Sequence, residues 1–325
     1  MKLPRFTIRI ILASSFVLVA VTCTQAQVNR TFVSGVGDDT FPCSRTSPCK
    51  TFVGAMTKTN PGGEVDALDS GGFGTMIISK SITIDGGSMF ASSLATGGVT
   101  AIRINAGDSD VVILRHLSIT SGPDPAPGNS GIKVDKVGKL HVIDCLIKNF
   151  AHHGIDFEPS STGAQLFVTA STIINNGSGS IDAGIFVKST AVISATIDHC
   201  TVNGNQDGIV AKDRTRVSVS NSLISGNHVF GVIAASDSTA RVEIDIESTV
   251  ITRNQFGIRS GNCVAPGPGV VRISNVSVTS NDAFGLMPTV SGPGCSGSGE
   301  IISAKNNTIL GNRPDGSPTA SPGQQ

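Results

Sequence analysis

The sequence predicts an all-β chain wound into a parallel β-helix, with three strands per coil, about nine coils and a short capping helix at its N-terminal end. Three observations carry that reading. Asn176, Asn205, Asn227, Asn254, Asn281 and Asn312 recur at intervals of 29, 22, 27, 27 and 31 residues, which is solenoid spacing. With each asparagine taken as position zero, a column that Gly87, Gly122 and Phe150 occupy in the earlier copies, apolar residues recur at fixed offsets before it: Ile147, Ile173, Val202, Ile224, Ile251 and Val278 at −3, and Val142, Val168, Ile197, Val219, Ile246 and Ile273 at −8. After the corner comes an apolar triplet, as in Ile132-Lys133-Val134, Ile155-Asp156-Phe157, Ile185-Phe186-Val187 and Ile209-Val210-Ala211. Alternation within each segment and a break in phase between them mean short strands joined by bends. A unit this small cannot bury its own apolar face, so it stacks on copies of itself.

In chain order, residues 1–26 carry Lys2, Arg5 and Arg9, an apolar run from Ile10 to Val21, and the small-residue site Thr24-Gln25-Ala26. This is the pattern of a secretory signal peptide, and the run is shorter than the roughly 20 residues that span a bilayer. Residues 27–86 form an N-terminal cap and first coil. Thr31-Phe32-Val33 opens as a strand, Thr51 to Thr59 forms a helix with Phe52 and Met56 on one face, and Asn60-Pro61-Gly62-Gly63 stops it. The helix plugs strand edges that would otherwise recruit another chain.

Residues 87–312 are the repeats. Offset −5 holds Ile82, Leu117, Cys145, Ser171, Cys200, Ser222, Thr249, Val276 and Asn307, and Ile84 opens the −3 column. Ile302 and Ala304 close the −10 and −8 columns. The asparagine is expected to supply a left-handed corner and a ladder of stacked amides. Residues 313–325, rich in Pro, Gly and Ser, read as a disordered tail.

Charge narrows the partners. The chain has 24 basic and 24 acidic residues, and the first 26 residues take three basic ones, leaving 21 − 24 = −3. Such a balance gives no footprint for nucleic acid or an anionic membrane. Six cysteines remain after Cys23. Cys43 and Cys49 flank a tight loop and are expected to bond, as are Cys263 and Cys295 in Gly/Pro-rich insertions of neighbouring coils. Cys145 and Cys200 share one inward column two coils apart, roughly 10 Å, and are expected to stay free and buried.

The run Thr31-Phe32-Val33-Ser34, Gly37-Asp38-Asp39, Pro42-Cys43, Pro48-Cys49-Lys50-Thr51-Phe52, Pro61-Gly62-Gly63 and Ile82-Thr83-Ile84-Asp85-Gly86 resembles the opening of secreted bacterial right-handed parallel β-helix proteins of the pectin-lyase-like superfamily. The resemblance spans about Arg30 to Asn312 and implies a right-handed coil. It does not imply one activity, because this fold carries lyases, hydrolases and inert scaffolds alike. Thr196-Ile197-Asp198-His199 is similar to the Trp-Ile-Asp-His segment of pectate lyases, which makes Asp198 and His199 the catalytic candidates. Thr196 replaces the tryptophan, and no Arg-x-Pro-x-x-Arg follows to supply the base that elimination needs.

Two other constellations stand out. Asp156, Asp182 and Asp207 fall on or near successive third strands as an acidic patch, where Ca²⁺ is the one ion its oxygen ligands suit, although no EF-hand or nonapeptide pattern accompanies them. Otherwise no cofactor or metal is expected. The outward column of the third strand contains Phe186, Val210, Ile233 and Met287, an apolar ridge that would mark a partner surface unless the protein's own loops cover it. The reading is an exported scaffold, secreted to the cell surface or beyond, that binds a polysaccharide or cell-surface protein without catalysis. The alternative is a polysaccharide lyase or glycoside hydrolase acting on acidic polysaccharide.

Overall fold

The computed structural model describes residues 28–88, 91–122, 127–262, 267–288 and 299–321. The segment expected as a signal peptide and both Cys263 and Cys295 lie outside them. Every ladder between the named strands is parallel, and a full coil contributes a first strand, a sharp bend, a second strand, a corner that holds an asparagine from Asn176 on, and a third strand. The second strands stack as one ten-stranded sheet, which counts ten coils where the offsets predicted nine. The first and third strands join in an eighteen-stranded sheet, because in two coils the third strand runs straight into the next first strand, over Ala183–Asp198 and Asp207–Ser220.

The central columns stack as the sequence implies. Ile119, Ile147, Ile173, Val202, Ile224, Ile251, Val278 and Ile309 are consecutive partners along the second-strand sheet. Leu140, Leu166, Ala195, Val217, Ile244 and Val271 do the same along the first strands. All of these but Ile309 are buried, so the coil axis is one continuous apolar core.

The two ends depart from the expected register. Ile82 and Ile84 pair with Val112 and Leu114, so they belong to a first strand, while Ala91 and Ser93 take the second-strand places beside Leu117 and Ile119. Small residues in that coil hid a complete turn. In the last coil Ile301 and Ser303 lie opposite Val271 and Ile273, so Ile302 and Ala304 are not the inward pair. One extra residue in the bend before Asn307 shifts the frame.

The corner asparagines work differently from the expectation. Left-handed φ falls one residue earlier, at Asn149, Asn175, Arg253 and Ser280, or at Gly204, Gly226 and Gly311, and again six before the corner, as at Asp144, Ala170, His199 and Asn221. The ladder asparagines themselves are buried hydrogen-bond relays. Asn205 donates from its backbone N–H and from Nδ2 to Asn227 Oδ1, at 3.0 and 3.1 Å, and the same pattern runs from Asn176 to Asn312. At the far end Asp315 Oδ1 accepts from Asn312 N and Nδ2 at 2.7 and 2.8 Å. A second, smaller relay follows the bend, where Ser171 and Ser222 hydroxyls accept from the Cys145 and Cys200 amides. The glycine before each third strand has a steric reason: a Cβ on Gly208 would sit 2.4 Å from the Gly231 carbonyl and 2.9 Å from Asn227 Nδ2.

The helix is Phe52–Lys58, capped by Thr51, whose hydroxyl accepts from Gly54 N and donates to Asp39. Phe52, Ala55 and Met56 are buried against the first strands, with Phe52 and Phe73 ring centroids 5.1 Å apart. Cys43 and Cys49 are bonded, and Cys145 and Cys200 are buried free thiols that burial pushes up to about 12 and about 11. The expected disordered tail is ordered where described. Pro314 and Asp315 carbonyls accept from Gly285 and Leu286, and Thr319 and Ala320 pair with the strand Gly299–Ser303, because these amides complete the last open edge.

Candidate functional site

The outward ridge of the third strand is not a surface. Phe186, Val210 and Ile233 stack as register partners but are 5, 2 and 8% exposed, and with Ala183 and Ala235 they form a second small core against Phe230. His153 stacks on Phe186 with ring centroids 4.6 Å apart, and its Nδ1 accepts from Ala183 N, which holds the ring as a neutral imidazole that burial also favours. Arg259 lies over the Phe230 ring at 5.3 Å, and Met287 pairs beside it, half-buried. The protein's own side chains therefore cover the ridge.

The acidic patch does not converge either. Asp207 is opposite Ala183 while Asp156 is opposite Phe186, three residues further along, or roughly 10 Å. All three carboxyls are buried, contrary to a solvated patch, and each has its own environment. Asp156 accepts from Lys133 Nζ at 2.6 Å. Asp182 accepts from Gly179 N, Ser178 N and His152, and these bonds outweigh burial to lower its pKa. Asp207 accepts from Phe230 N, yet burial raises it to about 6.

Asp198 and His199 sit at the end of a first strand, where the left-handed His199 turns the chain. Asp198 accepts from Ser220 Oγ at 2.6 Å, Asn221 Nδ2 at 2.9 Å and His199 Nδ1 at 2.7 Å, which lowers it to about 2. A carboxylate held this firmly is ionised at all ordinary pH and cannot serve as a general acid. The next carboxylate in its column, Glu247, is two strands away, roughly 10 Å, with Ser220 between them.

Asp198 belongs to the outward face of the first strands. The residues of that face pass from the stacked rings of His141 and Phe167, 4.6 Å apart and 10° from parallel, to Thr196, Ser218, Asp245 and Arg272. A cavity of about 420 Å³ opens there, lined by Ser218, Ser220, Asp245, Glu247 and Arg272 among others. Asp245 accepts from Arg272 at 3.0 Å, and Glu243 is bracketed by Arg216, Arg241 and Arg272. In the sequence, the absence of Trp and Tyr and the few phenylalanines argue against a sugar-stacking cleft, and the signal for this face was the ring pair at one offset, His141 and Phe167.

One acidic cluster went unnoticed. Glu64, Asp66 and Asp85 each place an oxygen within 4.8 Å of the others, the one such group among the described residues. Arg115 reaches Glu64 at 2.9 Å and Asp85 at 2.7 Å, and Arg30 bonds Asp66. A cation entering there would have to displace both guanidiniums. Burial, and then the neighbouring Asp66 carboxyl, raises the pKa of Glu64.

Residues 65–222 match a family described as a right handed beta helix region. Among solved structures, the chain is similar to pectate lyase Pel9A at 13% identity and TM-score 0.53, over 86% of this chain and 68% of that one. It is also similar to the Dettilon tailspike protein gp208 at 13% identity and TM-score 0.43, over 87% and 68%. No curated protein matches the sequence. The chain is a right-handed parallel β-helix of the pectin-lyase-like fold, and identities this low establish the fold alone. No helix of the described residues is long and apolar enough to cross a membrane.

Proposed function

We propose that the protein is an exported, non-catalytic β-helix scaffold that binds glycan along the outward face of its first strands. The observation that carries this is the composition of that face. The stacked, half-buried His141–Phe167 pair sets two ring edges side by side as an apolar strip against which a sugar can lie, and Thr196 and Ser218 beyond it offer hydroxyls to exchange with the sugar's own. Burial, followed by the neighbouring Lys139, lowers the His141 pKa, so the ring stays uncharged near neutrality. Asp198 is held by three donors and Glu243 and Asp245 by arginines, and exposed Glu247, the free acid of the cavity lining, stands two strands from Asp198. The Cys43–Cys49 bond fits an oxidising compartment.

The test is affinity electrophoresis in gels cast with pectate and with neutral plant and bacterial polysaccharides, paired with assays for unsaturated uronide and new reducing ends, with and without Ca²⁺. Retardation that Phe167→Ala relieves, with no new ends, is the expected result. Product formation abolished by Asp198→Ala would establish the lyase or hydrolase reading instead.

A further inference from the structure

Positive charge gathers where the first strands begin, beside that face. On the strand Asp207–Ser220, Arg214 and Arg216 are both exposed and lie two residues apart, hence on one side. Arg216 is opposite Glu243, which brings Arg241, two residues before Glu243, level with Arg214. Ile193 is opposite Thr215, so Val192 flanks Arg214 from the other side. These residues and Thr239 line a pocket of about 340 Å³, within the range of small-ligand sites.

Its charges are unbalanced. Glu243 accepts from Arg241 Nε at 2.8 Å and from Arg272 Nη2 at 3.1 Å, with Arg216 Nε 3.4 Å away, and the Arg272 bond, ahead of burial, lowers its pKa. Asp245 takes the other side of Arg272. Three guanidiniums thus share two carboxylates, and a fourth, that of Arg214, has no ion pair or hydrogen bond among the described residues. Like charges level with each other on adjacent strands destabilise a sheet, and here the register carries Arg214 level with Arg241, whose guanidinium turns to Glu243. Violations of this kind collect at functional sites.

We infer that the pocket binds the phosphoryl group of a phosphorylated sugar, an inference that rests on the glycan-binding reading above and names the ligand class. Two uncompensated positive charges match a phosphate monoester dianion, whereas a carboxylate or a sulfate ester would neutralise one of them. Guanidinium forks present paired N–H donors to such oxygens, Thr239 adds a hydroxyl, and half-exposed Val192 gives the ring an apolar contact.

Calorimetric titration of the purified protein with glucose phosphate, inorganic phosphate, sulfate and galacturonate tests it. At about pH 7.5, glucose phosphate should bind tightest and inorganic phosphate next, and both should weaken as the pH falls through about 6 and the dianion takes up a proton. Arg214→Ala and Arg241→Ala should each weaken glucose phosphate by about tenfold or more, Arg214→Lys by less, and Arg103→Ala not at all. The melting temperature of Arg214→Ala should equal or exceed that of the parent, since it removes a repulsion and breaks no ion pair. Galacturonate binding as tightly as glucose phosphate, or affinity indifferent to both arginines, would overturn the site. Inorganic phosphate binding as tightly as glucose phosphate would overturn its assignment to a sugar. Polysaccharide retardation that persists while all four titrations stay flat would sink this inference alone. Titrations that respond to the arginines without any retardation would instead remove the glycan reading beneath it.

Discussion

Asp207 is a carboxyl where a solenoid surface ordinarily meets water, yet it is 4% exposed and raised to about 6. Burial disfavours its ionised form, so the folded state holds the proton more tightly than the unfolded chain does. Its contribution is therefore full below the unfolded value, near pH 4, and is lost as the pH rises through about 6. Asp207→Asn keeps an acceptor for Phe230 N and never ionises. The variant should gain melting temperature over the parent at pH 7.5 while matching it near pH 4, as scanning calorimetry at the two pH values would read. This burial was not legible in the sequence, because an outward position beside Gly208 gives no sign that Phe186, Val210 and Ile233 have formed a core of their own. The arginine pocket was partly legible: Arg214 and Arg241 both stand thirteen residues before their corner asparagines. Only the parallel register, however, brings Val192 and Glu243 to the same place.

Within the coil, the asparagine corner shows how a repeat is locked. Asn227 Oδ1 accepts both the N–H and Nδ2 of Asn205, and its own Nδ2 reaches Asn254 and the Val202 carbonyl. Asn227→Ala would leave the Asn205 N–H buried without an acceptor, while Asn205 Nδ2 keeps the Ile173 and Asn203 carbonyls, a loss of about 2 kcal/mol. Denaturant unfolding should show that loss as a lower midpoint at unchanged slope, whereas Asn306→Ala, at the exposed last bend, should cost much less. The periodic asparagines made this element readable, and the apolar offsets made its neighbours readable. The reading failed where the period itself fails: at Ala91 and Ser93, too small to register as core, and at Ser303 to Asn307, where the bend takes one residue more. It also gave the left-handed turn to the wrong residue, since asparagine suits both that conformation and the relay it actually serves.

At the scale of the molecule, ten coils in one parallel stack leave two ends to protect. The N-terminal helix lays Phe52 and Met56 against the opening strands, and Phe52 is fully buried beside Phe73. Phe52→Ala should lower stability by about 3 kcal/mol through the cavity it leaves. It should also raise self-association on mild heating, because the first strand's edge becomes accessible. Light scattering during a thermal ramp would detect it, and a variant no more prone to associate than the parent would show that the helix does not guard that edge.

The opposite end is sealed by chemistry. From one asparagine to the next, hydrogens pass only toward the C terminus, so the ladder has a direction, like a growing polymer. Asp315 receives two hydrogens from Asn312 and has none to hand on. A carboxylate there acts as a chain terminator: a second molecule brought end to end would find no donor with which to continue the series, and the stack keeps a fixed length.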